Sequence, residues 1–388
     1  MFETLRFLRT VFERPDLAAH VRVFAPFVRR RCIHEITVEL IELLNDTCRL
    51  LGIPPYDPIT RDLYLAVFLK ELAVRAPALT ELTLVPVQLA TSSEEQGALR
   101  SLAADPARPL RRLRKLDMYH ETESENVFAL GAISTDLLLA AACNLETLEL
   151  NGFTRVSPAL PLLPNVREAT LTLCSLGCDD LGNLIESLPN LEMFRYTSKG
   201  DPNRTASSGR AEFTPAEAAL QLYKRRDTLK HLSLPTSLFC RWFGVEGITR
   251  SYSNFSTLQS LELHSSNIFP DPAKASSVLA EGVAFLPPEP HPLCGAARLV
   301  GLVPPSLTHL ILRGPCPYHE AAALASAAAI GRYPRLETVS LEAVVPAILT
   351  EHRVYNMWTM DGVCWAKLKA AAAEAGLNFE WHTQVEKE

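Results

Sequence analysis

Residues 145–151, Leu145-Glu146-Thr147-Leu148-Glu149-Leu150-Asn151, and residues 166–172, Val166-Arg167-Glu168-Ala169-Thr170-Leu171-Thr172, carry one phrase, apolar at its first, fourth and sixth places. It returns along the chain as Leu79/Leu82/Leu84, Leu113/Leu116/Met118, Leu145/Leu148/Leu150, Val166/Ala169/Leu171, Leu191/Phe194/Tyr196, Leu229/Leu232/Leu234, Leu258/Leu261/Leu263, Leu307/Leu310/Leu312 and Leu336/Val339/Leu341. The fourth and sixth places alternate as a strand requires, and the segments between copies carry helical spacing. Each copy therefore reads as one strand-plus-helix unit. Units of this kind cannot bury their apolar faces alone, so they stack, and stacking predicts one continuous parallel sheet with helices outside it.

The copies are unevenly spaced, from 21 residues (Leu145 to Val166) to 49 (Leu258 to Leu307), which marks irregular repeats with insertions. Helical connections are expected at Ser134 to Ala142, Asp179 to Ser187, Thr214 to Arg226, Pro272 to Phe285 and Tyr318 to Ile330. The third has the clearest start. Thr214 can accept from the backbone of Glu217, Pro215 suits the first turn, and Glu217 can reach back to Thr214. Residues 1–77 differ from the rest, with amphipathic helices expected at Thr4 to Phe12, Ile36 to Leu51 and Thr60 to Arg75 and a short strand at Ala19 to Phe24. The open end of a repeat stack needs covering, so this segment reads as a helical cap on a solenoid spanning 78–388. Asp361 to Gly376 followed by Leu377 to Trp381 reads as a helix and strand closing the other end. Glu121 to Asn126, Lys199 to Arg210 and the proline-rich Leu286 to Pro305 read as loops, the last on the ground that its prolines preclude a regular helix.

The 388 residues are 47% hydrophobic, ample for a core, and the net charge is −6. The basic runs Arg29 to Arg31 and Arg111 to Lys115 are short and far apart, which disfavours nucleic acid as a partner. The start, Met1-Phe2-Glu3-Thr4-Leu5-Arg6, lacks the layout of a secretory signal, and no stretch reaches the ~18 apolar residues needed to span a bilayer. The nine cysteines are odd in number and scattered, which fits reduced thiols in the cytoplasm or nucleus, so the sequons at Asn45, Asn203 and Asn254 carry little weight. A chain that is monomeric on its own is expected.

Signatures of chemistry are sparse. No nucleophile elbow, phosphate-cradling loop or dinucleotide fingerprint occurs, and His34-Glu35-Ile36-Thr37-Val38 lacks the second histidine of a zinc helix. Cys174 and Cys178 have no second pair at finger spacing, and Cys174 reads better as a buried turn residue. No catalytic residue, metal or cofactor is expected, and the chain reads as a binding protein rather than an enzyme. If the first, fourth and sixth places face the core, the third, fifth and seventh face the concave side. That side then presents Tyr119, Glu149, Arg195, His231, Glu262, His264, His309 and Arg313 as candidate contacts, a mixture of charge and aromatic character suited to a protein partner.

The phrase resembles leucine-rich repeats. One copy is nearly complete, Val166-x-x-Ala169-x-Leu171-x-x-Cys174-x-Leu176, with Cys174 where that family places Asn or Cys; most other copies lose the Asn ladder, Asn151 and Asn267 lying out of register. Leu5 to Thr10 and Arg14 to Arg22 look like the segment that follows the F-box in fungal F-box/leucine-rich-repeat-like proteins. The resemblance implies an α/β horseshoe: an irregular leucine-rich-repeat solenoid with a concave parallel sheet, outer helices and an N-terminal helical cap. It also implies a scaffold that holds a protein substrate for a cullin-type ubiquitin ligase, with a stand-alone regulator or inhibitor as the alternative and an enzyme with an unrecognised Cys/His site as a third reading. The F-box itself is not in the sequence, which begins after the place it would occupy.

Overall fold

A computed structural model describes residues 2–25, 38–51, 72, 74–84, 100, 104, 110–119, 129–130, 133–198, 212–235, 251–265, 268, 298–314, 316, 318–346 and 362–386. The chain divides into two compact units, Met1–Leu176 with Glu186–Asn190, and Gly177–Ile185 with Leu191–Glu388.

The first unit contains, in order, α1 (Phe2–Glu13), α2 (Pro15–Ala18), β1 (Val23–Phe24), α3 (Val38–Leu51), β2 (Glu81–Leu84), β3 (Lys115–Tyr119), β4 (Ala129–Leu130), α4 (Ile133–Ala141), β5 (Thr147–Asn151), β6 (Arg155–Val156) and β7 (Glu168–Cys174). Strands β1, β2, β3, β5 and β7 pair side by side, all parallel. Places match across the ladder: Leu82 lies opposite Leu116, Leu116 opposite Leu148, and Leu148 opposite Ala169. The repeat phrase thus sets the register. A slip of one residue would turn every fourth- and sixth-place side chain out of the core. β4 and β6 form a separate two-stranded parallel pair.

The second unit contains α5 (Cys178–Ser187, all but its last two residues), β8 (Met193–Ser198), α6 (Pro215–Leu222), β9 (His231–Leu234), β10 (Ser260–His264), α7 (Arg298–Leu302), β11 (His309–Arg313), α8 (Tyr318–Ala329), β12 (Thr338–Pro346), α9 (Gly362–Glu374) and β13 (Asn378–Glu386). Strands β8 to β13 pair in chain order, again parallel and in phase, with Leu232, Leu261, Leu310, Val339 and Phe379 in one row. Among the described residues the chain is therefore α/β, with eleven strands in its parallel sheet topology and helices between them.

Burial explains the phrase. All 27 apolar places of the nine copies are buried, and in the strands β3, β5 and β11 they alternate with half-buried or exposed places. Each such side chain contributes roughly 1.5–3 kcal/mol by leaving water. Two polar devices join one copy to the next. The carbonyl of the second place accepts two backbone N–H groups from the following copy, as Arg114 does from Glu146 and Thr147, and Lys230 from Gln259 and Ser260. The residue before the first place donates its side chain to the copy behind: Asn144 Nδ2 to the Arg111 carbonyl, Asn165 to Cys143 and Asn190 to Pro164, each at 2.8 Å. Thr257 and Ser306 do the same work with hydroxyls, reaching the Leu229 and Leu258 carbonyls at 2.9 and 2.8 Å. Three successive copies thus carry an asparagine one place ahead of the phrase, a row distinct from the ladder place behind it.

The helices α4, α5, α8 and α9 fall where spacing places them, and Thr214 caps α6 with the reciprocal pair of bonds, Glu217 N to Thr214 Oγ1 at 3.1 Å and Thr214 N to Glu217 Oε2 at 2.7 Å. Two expectations need correction. Only Val23–Phe24 of the strand expected from Ala19 is extended, because Pro15 opens the short helix α2, whose C-cap Ala19 is still in the helical region. Pro304 and Pro305 end a helix but do not prevent one: Arg298–Leu302 contains no proline and is helical, its Leu299 N–H bound by Glu320 Oε2 at 3.0 Å. The strand expected within the N-terminal segment pairs as β1 with β2, and Phe24 stacks on Phe7 at 5.7 Å. The expected loops at Glu121 to Asn126 and Lys199 to Arg210, the helix at Pro272 to Phe285, most of the helix at Thr60 to Arg75, and the run Arg29 to Arg31 lie outside the described residues. Among the described residues no helix is long and apolar enough to cross a membrane.

Candidate functional site

With the fourth and sixth places in the core, the third, fifth and seventh places share the other face of each unit's sheet. In the first unit that face carries Glu81, Lys115, Asp117, Tyr119, Glu149, Asn151 and Glu168, and Asp117 stands directly opposite Glu149 across the β3–β5 pair. Like charges so placed repel. Lys115 relieves half of the conflict, its Nζ lying 2.7 Å from Glu149 Oε1. At Asp117 the Lys115 charge is the weakest influence, and burial first, with the Glu149 charge second, holds its carboxyl above the usual range. Tyr119 and Glu149 border a depression of about 240 Å³, floored by Thr170 and Thr172. These two candidate contacts therefore sit together.

The second unit holds the other six. Across its sheet one row runs Arg195, Ser233, Glu262, Ile311, Ser340, and the next brings His264, Arg313, Glu342 and His382 side by side. His231 and His309 flank Ser260 one row below. At the centre is Glu262, with 8% of its side chain exposed. Its Oε2 accepts from Ser233 Oγ at 2.5 Å, and Oε1 accepts from Arg313 Nε at 2.6 Å. Arg195 Nη2 approaches the same carboxylate at 3.9 Å. The Arg313 Nε also lies 3.5 Å from Glu342 Oε2, a charge contact without a hydrogen bond, which leaves that buried oxygen unsatisfied among the described residues.

The expectation that the third, fifth and seventh places are outward contacts fails at Glu262. It is buried because Ser233 and Arg313 supply the polar partners a carboxylate needs away from water. His264 is likewise largely covered: burial first, and the Arg313 charge second, lower its pKa to about 4, so at neutral pH it is an uncharged ring. Arg195 and His309 are exposed, while His231 and Arg313 are half-buried. Ser233 and Glu342 belong to the cluster and were absent from the expected contacts, although both occupy odd places of their phrases, the fifth and the seventh.

Burial pushes the Cys316 thiol up to about 12, and Cys174 is buried at the end of β7, its Sγ 3.6 Å from the Leu150 carbonyl. Among the described residues no group of three or more His, Cys, Asp or Glu side chains is arranged to hold a metal ion.

No family model matches the chain, and no curated protein sequence matches it. It is similar to a solved structure of a Bacteroides fragilis protein from the Northeast Structural Genomics Consortium, at 13% identity over 88% of this chain and 73% of that one, with a TM-score of 0.37.

Proposed function

We propose that this chain is a non-enzymatic leucine-rich-repeat scaffold that holds a protein partner on the sheet face of the third, fifth and seventh places. The observation that carries the reading is the contrast between the two faces. The first, fourth and sixth places are buried without exception, whereas the third, fifth and seventh places of the second unit present Arg195, His231, His309 and Arg313 to solvent around a buried carboxylate. Arginine anchors fixed by buried neighbours are the groups that dominate protein interfaces.

The finer reading, that the held protein is presented to a ubiquitin ligase, rests on the likeness of Leu5 to Arg22 to fungal F-box proteins and is tested by co-purification of cullin-ligase subunits. The face itself is tested with a partner recovered by affinity purification and then purified. Arg195→Ala should weaken its binding by more than ~1 kcal/mol, because an exposed arginine contributes to contact and not to the core. Leu220→Ala, an exposed position on α6, should leave affinity unchanged. Equal affinity for both variants would place the partner elsewhere on the molecule.

A further inference from the structure

Glu262 and Arg313 form an arrangement that a solvated ion pair does not explain. The carboxylate is more than nine-tenths buried and has both oxygens engaged, one by Ser233 Oγ and one by Arg313 Nε. Because it is bound through Nε, Arg313 keeps both terminal nitrogens without a partner among the described residues, on a side chain one-third exposed. Arg195 comes to the same carboxylate from the opposite side at 3.9 Å with its side chain more than half exposed. Two guanidinium groups are thus gathered from β8 and β11 around one buried anchor, with unused N–H donors on each.

We infer that Arg195 and Arg313 form a carboxylate-binding subsite that takes an acidic side chain from a protein partner, and that Glu262 is the positioning residue that holds the Arg313 fork in place. The inference rests on the scaffold reading above and names the chemistry its face selects. A guanidinium offers paired N–H donors in a fixed plane, so a carboxylate can meet it through two parallel bonds. Fixing the plane in advance removes part of the ordering cost that a free arginine would carry.

The role of Glu262 gives the test its sign. If the face attracted acidic groups by charge alone, removing the negative charge of Glu262 would strengthen binding. If Glu262 orients Arg313, removing it weakens binding. The probe is a fluorescein-labelled peptide, Gly-Ser-Glu-Glu-Ser-Gly, titrated by anisotropy against the full chain at low salt, with Gly-Ser-Gln-Gln-Ser-Gly as the neutral comparison. The Glu peptide should bind more tightly than the Gln peptide. Arg195→Ala and Arg313→Lys should each weaken it by about tenfold, the lysine because it keeps the charge but loses the fork. Glu262→Gln should weaken it about threefold, and Arg332→Ala, exposed and outside the strands, should leave it unchanged. Arg313→Lys and Glu262→Gln keep the size of each side chain, and unchanged melting curves would confirm that both fold.

Tighter binding by Glu262→Gln, equal losses at Arg195 and Arg332, or no preference for the Glu peptide would each overturn the inference. A partner whose affinity depends on Arg195 while the Glu peptide is not preferred would leave the scaffold reading standing and remove the carboxylate subsite alone.

Discussion

Arg313 Nε lies 2.6 Å from Oε1 of Glu262, and the two residues are 51 positions apart on adjacent strands. The bond is what allows a carboxylate to occupy a buried place on the sheet. Arg313→Ala would leave Glu262 with Ser233 as its one close partner, so it should lower stability by about 2 kcal/mol, less than a fully buried pair loses because Arg313 is partly solvated. Chemical denaturation measures this. A loss no larger than that of Arg332→Ala would show that the pair does not hold Glu262 in place.

Leu148 tests the core. It is fully buried at the fourth place of its phrase, between Leu116 and Ala169. Leu148→Ala removes three carbons from a packed row and should cost about 2–5 kcal/mol, because transfer energy is lost and a cavity remains. Leu162→Ala, at a position 71% exposed, should change stability by less than ~0.5 kcal/mol. Similar unfolding midpoints for the two variants would contradict the assignment of the phrase to the core.

The phrase was legible because strand alternation and burial have the same period, so Leu82, Leu116, Leu148 and their successors announce the sheet without help from distant residues. The Thr214 cap was legible for a related reason, since its partners Pro215 and Glu217 are local. Glu262 was not. Its burial depends on Ser233, 29 positions before it, and Arg313, 51 after, and only the finished strand order brings them together. The asparagine row lay between these cases. Asn144, Asn165 and Asn190 each stand one place before a phrase, a regularity visible in the sequence, but the expected ladder position was on the other side of the strand. The helix Arg298–Leu302 was hidden by its proline-rich surroundings, although none of its own residues is proline.

Gly314 follows Arg313 with φ at +84°, a left-handed turn that ends β11. A Cβ there would meet Ser265 Oγ at 2.8 Å and the His264 ring at 3.0 Å, whereas Gly331, at φ +78°, has open space around it. Both substitutions to alanine carry the backbone cost of about 1 kcal/mol for a positive φ, and only Gly314→Ala adds a clash beside the Arg313 cluster. Gly314→Ala should therefore be the more destabilising of the two and should weaken binding at the face. Equal melting temperatures would mean that the His264 ring moves aside without cost.

His264 makes stability depend on pH. Its folded pKa, lowered to about 4 by burial and by Arg313, lies below the ordinary value of 6.5 that it regains on unfolding. Above about pH 6.5 the ring is neutral in both states and the difference has no effect. Below that, the unfolded chain binds a proton that the folded chain refuses, so stability falls between pH 6.5 and 4, with a slope of at most about 1.4 kcal/mol per pH unit from this one group. His264→Gln removes the titration while keeping a polar side chain. Its unfolding free energy, measured from pH 7.5 to 4.5, should fall less steeply than that of the wild-type chain, with the two curves drawing together as pH drops. Parallel curves over that range would show that the ring is protonated as readily folded as unfolded, and that Arg313 is not close enough to oppose its charge.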